Sequence, residues 1–87
     1  MRTIKSYANA RNKNFKYEEV NGLGGYRECS VTTDNQTYTV DYFEETKEYT
    51  LYYTTFMGRK TECTFKTQKD VTLEINKNEH LINFKNK

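Results

Sequence analysis

The chain is poor in the residues that most reactions need: one histidine, two cysteines, four glycines, and no proline or tryptophan among 87 residues. Catalysis requires a base or nucleophile held beside its partner. His80 stands near the C-terminal end, and nothing in its spacing brings it to Cys29 or Cys63, so no enzyme is expected. The same three residues lack the closely spaced ligand pairs of a zinc site, so neither metal nor cofactor is expected. Glycine is concentrated in one stretch, Gly22-Leu23-Gly24-Gly25. Phosphate-cradling loops lead into a helix, whereas this stretch leads into a strand-like run, which makes it a connector.

Long apolar runs are also missing. Ile4 follows Arg2 but stands alone, so neither a membrane span nor a secretory leader is expected, and the cytoplasm is the default location. In that compartment the Asn35-Gln36-Thr37 sequon has no role. The apolar share is 34%, which suits one small domain over 1–87 and leaves a core in which eight Tyr and five Phe do much of the filling. No linker or internal repeat divides the chain.

What is present is a two-residue period. Tyr26 to Thr33, Thr37 to Phe43, Glu48 to Met57 and Thr61 to Thr67 alternate apolar and polar residues and are rich in Tyr, Thr, Val and Phe, which favour a pleated surface. Matching apolar residues across turns sets the register, because a slip of one residue would turn every side chain to the wrong face. A hairpin closing over Glu44 to Lys47 sets Tyr42 against Tyr49, Val40 against Leu51 and Tyr38 against Tyr53. The turn at Asp34 to Thr37 is expected to set Val31 against Val40 and Cys29 against Tyr42. A three-residue loop at Gly58 to Lys60 is expected to set Tyr53 against Phe65 and Thr55 against Cys63, with Gly58 supplying a positive φ.

One face then carries Cys29, Val31, Tyr38, Val40, Tyr42, Leu51, Tyr53, Cys63 and Phe65 and needs a cover. The other carries Thr32, Thr39, Asp41, Thr50, Thr54, Thr64 and Lys66, interrupted by Phe43, Tyr52 and Phe56. The cysteines fall three strand spacings apart, roughly 14 Å against a Cα limit of about 7 Å for a bridge, so both are expected to be reduced.

For the cover, the best candidate is a helix from Ser6 to Val20, capped by Ser6 and stopped by Asn21-Gly22, although Asn9, Asn12 and Asn14 weaken it. Without it, Arg2, Lys5, Arg11, Lys13 and Lys16 would form a basic arm. At the other end, Val71-Thr72-Leu73-Glu74-Ile75 alternates and reads as a fifth strand, with Leu81, Ile82 and Phe84 as a short sixth. A helix from Lys69 to Phe84 competes, but the β-branched residues favour the strand. The expected class is α+β: a four- to six-stranded antiparallel meander with one short N-terminal helix on one face. The alternative is an all-β small open barrel.

The net charge of +2 conceals an uneven distribution: +4 for Met1 to Arg27, −5 for Glu28 to Met57 and +3 for Gly58 to Lys87. Asp41, Glu44, Glu45 and Glu48 gather at one hairpin tip, and Arg59 and Lys60 at the next, which should lie at the opposite end of the sheet. An aromatic face flanked by opposite charges points to a non-enzymatic module that binds a protein through Phe43, Tyr52, Phe56, Asp41, Glu44, Glu45, Arg59, Lys60 and Lys66. The alternative is single-stranded nucleic acid stacked on the aromatics with the lysines on phosphates. No membrane partner is expected, and the chain would be a monomer or a homodimer joined by sheet extension. Thirteen Thr, ten Lys and nine Asn beside two Ala suggest an AT-rich genome. In size and composition the chain is similar to small proteins of bacteriophages and mobile elements, including inhibitors of a host or defence machine such as a CRISPR effector.

Overall fold

The computed structural model describes residues 1–11, 14–22 and 24–86. Asn12, Lys13, Leu23 and Lys87 lie outside them, and with them parts of the expected N-terminal helix, basic arm and glycine connector. Helix α1 (Arg2–Ala10) is followed by strands β1 (Lys16–Asn21), β2 (Tyr26–Thr32), β3 (Thr37–Phe43), β4 (Glu48–Thr54) and β5 (Lys60–Phe65), and then helix α2 (Gln68–Lys85). The strands form one antiparallel meander in the order β1-β2-β3-β4-β5. Both helices lie on one face of it, so the domain has the expected two-layer α+β architecture with an open sheet.

The expected apolar parity is observed. Cys29, Val31, Tyr38, Val40, Tyr42 and Leu51 are buried, with Tyr53 and Phe65 packed at their margin. Ile4 and Ala8 of α1 and Val71 and Ile75 of α2 close over them. Each fully buried Val, Leu or Ile contributes roughly 1.5–3 kcal/mol relative to exposure. Cys29 and Cys63 are free thiols on β2 and β5, separated by β3 and β4. Burial pushes the Cys29 thiol up to about 11.

Three expectations are corrected. The central register is as read, with Val40 opposite Leu51 and Tyr42 opposite Tyr49. The flanking hairpins are shifted by even numbers of residues: Val31 faces Tyr38 and Cys29 faces Val40, while Leu51 faces Cys63 and Tyr49 faces Phe65. The face assignment survives because an even shift preserves parity. The cause is turn length. Thr33 N–H bonds to Gln36 O and closes the first turn more tightly, and Thr55 N–H bonds to Arg59 O around a longer second loop. Gly58 does take a positive φ there, 83°.

The N-terminal helix starts earlier and ends at Ala10, and the second half of its expected span is β1, paired along its length with β2. The C-terminal segment is α2 and not strands. Its β-branched residues occupy positions 71, 72 and 75, and Val71, Ile75, Asn78 and Glu79 make one buried stripe at helical spacing. Thr67 caps the helix, its Oγ1 accepting the Asp70 N–H at 3.1 Å. Burial of that stripe under a sheet face that lacked a second cover outweighs the modest propensity cost.

At the end of the sheet that holds the β1–β2 and β3–β4 turns, Gly25 has φ 78°, and a Cβ there would stand 2.8 Å from Glu44 Cβ. Gly24 has φ 65° with open space around it. Gly25→Ala should therefore cost about 2–3 kcal/mol and Gly24→Ala only about 1 kcal/mol, as read from urea midpoints. Equal losses would mean that the contact with Glu44 is immaterial.

Candidate functional site

The helices leave the second sheet face open, and its make-up follows from strand parity. Across the strands run the rows Tyr26, Phe43 and Glu48; Glu28, Asp41, Thr50 and Thr64; and Ser30, Thr39, Tyr52 and Glu62. Glu18 continues the last row onto β1 beside Ser30.

The centre is acidic and aromatic. Glu28 and Asp41 are direct cross-strand partners, an arrangement that repels on an exposed sheet. The Tyr26 hydroxyl lies between them, 2.8 Å from Glu28 Oε2 and 2.9 Å from Asp41 Oδ1, and offers its one proton to the pair. Those bonds, first of all the one to Glu28, push the Tyr26 phenol above its ordinary range. The Tyr26 ring rests against Phe43 at 5.1 Å between centroids. Tyr52 stands on β4 between Asp41 and Glu62; partial desolvation and then those two carboxylates raise its phenol too. Phe43 is 46% and Tyr52 39% exposed, large for residues on a regular sheet face.

The other expected binding residues do not all share this face. Glu44 and Glu45 are exposed in the β3–β4 turn, and Arg59 is exposed in the loop at the opposite end, as expected. Lys60 lies on the open face at the start of β5, opposite Thr54. Lys66 is just past the other end of β5, roughly 20 Å away at strand rise, and its Nζ is 3.0 Å from Glu48 Oε2. The three basic residues therefore do not form one patch.

Phe56 leaves the face altogether. β4 ends at Thr54, and beyond it the loop folds back over α2. There the Phe56 N–H donates to Asn78 Oδ1 at 3.0 Å and Lys85 Nζ donates to the Phe56 carbonyl at 3.2 Å. Its side chain lines a narrow cleft with Tyr53, Glu74 and Leu81. The parity argument fails for Phe56 because it extends the strand past its last paired residue. Conversely, Tyr26, Glu28 and Glu62 are absent from the sequence-derived set, although the same alternation places them on the open face.

Among the described residues, no group of three or more His, Cys, Asp or Glu could hold a metal ion. Among them, too, no helix is long and apolar enough to cross a membrane. What the fold and this face define is a small two-layer α+β domain whose five-stranded sheet is covered on one side and open on the other. No family model, curated protein or solved structure matches the chain.

Proposed function

We propose that the domain is a non-enzymatic protein-binding module, and that its open sheet face receives a positively charged surface of a partner protein. The observation that supports this most directly is the strip formed by Glu28, Asp41, Tyr52 and Glu62 beside the Tyr26–Phe43 ring pair. Carboxylates beside aromatic faces suit lysine and especially arginine, which gain an ion pair and a cation–π contact together. A regular sheet is also rigid, so little conformational freedom is lost on association. In a bacterial or phage setting such a module would work in the cytoplasm by occupying a surface that a host or defence machine needs.

The charge of the face argues against the nucleic-acid reading. Glu18, Glu28, Asp41, Glu48 and Glu62 outnumber Lys16, Lys60 and Lys66 on it, and phosphates are repelled by such a surface.

The test is a pull-down with tagged protein from bacterial lysate, with and without nuclease, repeated with Asp41→Lys and with Phe43→Ala/Tyr52→Ala. Asp41→Lys replaces a repulsive neighbour of Glu28 by an attractive one, so the fold is retained. Capture of a protein that survives nuclease, weakened about ten-fold or more by either change, is the expected result. Retention of nucleic acid that Asp41→Lys strengthens would transfer the function to the alternative. Capture unaffected by both variants would place binding elsewhere.

A further inference from the structure

We propose that β5 is a self-association edge through which two copies of the chain join into a continuous ten-stranded antiparallel sheet, in a register selected by Glu62 and Lys66. This goes beyond the partner-binding reading and uses the edge of the sheet, not the centre of its face.

β5 is the last strand in the sheet order, so among the described residues one side of its backbone has no neighbouring strand. Which groups point outward follows from the hairpin. Thr55 N–H donates to Arg59 O at 2.8 Å, and this pair continues the β4–β5 register in which Thr54 faces Lys60. Hydrogen-bonded and non-bonded pairs alternate in an antiparallel ladder. Thr61, Cys63 and Phe65 therefore turn their backbone groups to β4, and Lys60, Glu62 and Thr64 turn theirs outward. The chain bends at Lys66 and Thr67 into α2, Thr67 itself having φ −134° and ψ 153°, so Lys66 directly follows the last strand residue at the end of the same edge.

Two-fold pairing of this edge with itself must match outward residues to outward residues, which leaves few registers. Setting Glu62 against Glu62 of the second copy opposes two carboxylates. Setting Cys63 against Cys63 of the second copy opposes Lys60 to Lys66 twice. Setting Thr64 against Thr64 of the second copy opposes Glu62 to Lys66 twice on the open face, and Cys63 to Phe65 twice on the helix side. Setting Thr61 against Thr61 of the second copy also opposes Lys60 to Glu62, but it pairs only the first three residues of β5 before the loop closed by Thr55 and Arg59 intervenes. Of the registers that use more of the strand, only the one centred on Thr64 makes both charged contacts attractive, and it shields two half-buried apolar side chains at the rim. Lys66 is well placed for it. Its side chain is 79% exposed while paired with Glu48, so it can bridge Glu48 of its own chain and Glu62 of the other.

The opposite edge is less open. The α-amino group of Met1 contacts Glu19 and lies 2.9 Å from the Tyr17 hydroxyl, placing the start of α1 beside β1. Pairing β5 with itself closes a two-fold dimer, whereas pairing β5 with β1 would build an open-ended array. The joined sheet would also place two copies of the acidic and aromatic strip side by side, doubling the face offered to a partner.

The experiment is sedimentation velocity from micromolar to millimolar protein on the wild type, Glu62→Lys, Lys66→Glu, and an equal mixture of the two variants, with circular dichroism to show that each is folded. Each variant alone opposes like charges and should dimerise at least about ten-fold more weakly than the wild type. In the mixture, the lysine introduced at position 62 of one chain meets the glutamate introduced at position 66 of the other, and the unchanged Lys66 of the first chain meets the unchanged Glu62 of the second. Both charged contacts are then attractive again, so the mixture should recover a heterodimer of wild-type strength. Folding defects in either variant cannot imitate that recovery. A wild type that is monomeric throughout, a dimer indifferent to both substitutions, or a mixture that stays monomeric would each overturn the proposal. So would rapid Cys63–Cys63 crosslinking by a thiol oxidant, since this register faces Cys63 with Phe65.

Discussion

Ile75→Ala is expected to remove about 2–5 kcal/mol of stability, whereas Leu73→Ala, two residues away, changes it by less than about 0.5 kcal/mol. Ile75 is fully buried in the middle of α2, in one cluster with Ile4, Leu51 and Val71, and truncation leaves a cavity between helix and sheet. Leu73 points away from the sheet and is 57% exposed. In a β-strand the two residues would share a face and behave alike. The contrast therefore tests the helix itself, and equal losses in urea unfolding would count against it. A domain of this size has a total stability of about 4–13 kcal/mol, so the Ile75 change alone could leave a large part of the population unfolded.

Asn78→Ala is expected to cost about 2–4 kcal/mol, an unusually large effect for a polar residue. Asn78 is the hub of a buried network that ties α2 to two hairpin ends. Its Oδ1 accepts the Phe56 N–H, and its Nδ2 donates to the Thr54 carbonyl and to the Tyr38 hydroxyl, each at 3.0 Å. Tyr38 in turn donates to Glu79 Oε2 at 2.6 Å, and Asn35 Nδ2 donates to Glu79 Oε1 at 3.0 Å. Burial, reinforced by the Glu79 bond, raises the Tyr38 phenol above its ordinary range, which favours the protonated, donating form. Alanine at 78 strands the Phe56 N–H, while the Thr54 carbonyl keeps its bond from Gln36 Nε2 at 2.7 Å. Tyr38→Phe should cost a similar amount, because it leaves the buried Glu79 carboxylate with less support. In a double-mutant cycle the two losses should fall short of additivity by about 1 kcal/mol or more, since both act on one network. Strict additivity would mean that the residues act separately.

This network also shows where sequence reading stops. The run Asn76 to Glu79, rich in Asn, Lys and Glu, carries no sign of burial in sequence. Asn78 and Glu79 are buried because Tyr38 presents a hydroxyl at the top of an apolar sheet face, and something above must satisfy it. Thr67 and Asp70 do contain a readable signal, a capping residue three positions before an acidic one at the head of a helical stripe. The local β-propensity of Val71, Thr72 and Ile75 obscures it. At the other terminus, Lys16 to Asn21 has no clean alternation, and β1 exists because β2 offers it an unpaired edge.

The sequence by itself determined strands β2 to β5, the two faces and the separation of the cysteines, because alternation along a strand is a property of the local backbone and survives an even change in register. It also placed Asp41, Phe43 and Tyr52 on the face opposite the core. Tertiary structure decided the hairpin registers, through turn hydrogen bonds, and the identity of both terminal segments, through what the apolar face required as cover. It likewise decided that Phe56 turns inward to α2 and that Glu28, Glu62 and Tyr26 complete the acidic, aromatic strip. The terminal segments and Phe56 depend on contacts between residues far apart in the chain, whereas Tyr26, Glu28 and Glu62 follow the same alternation and are joined into one strip by the pairing of their strands.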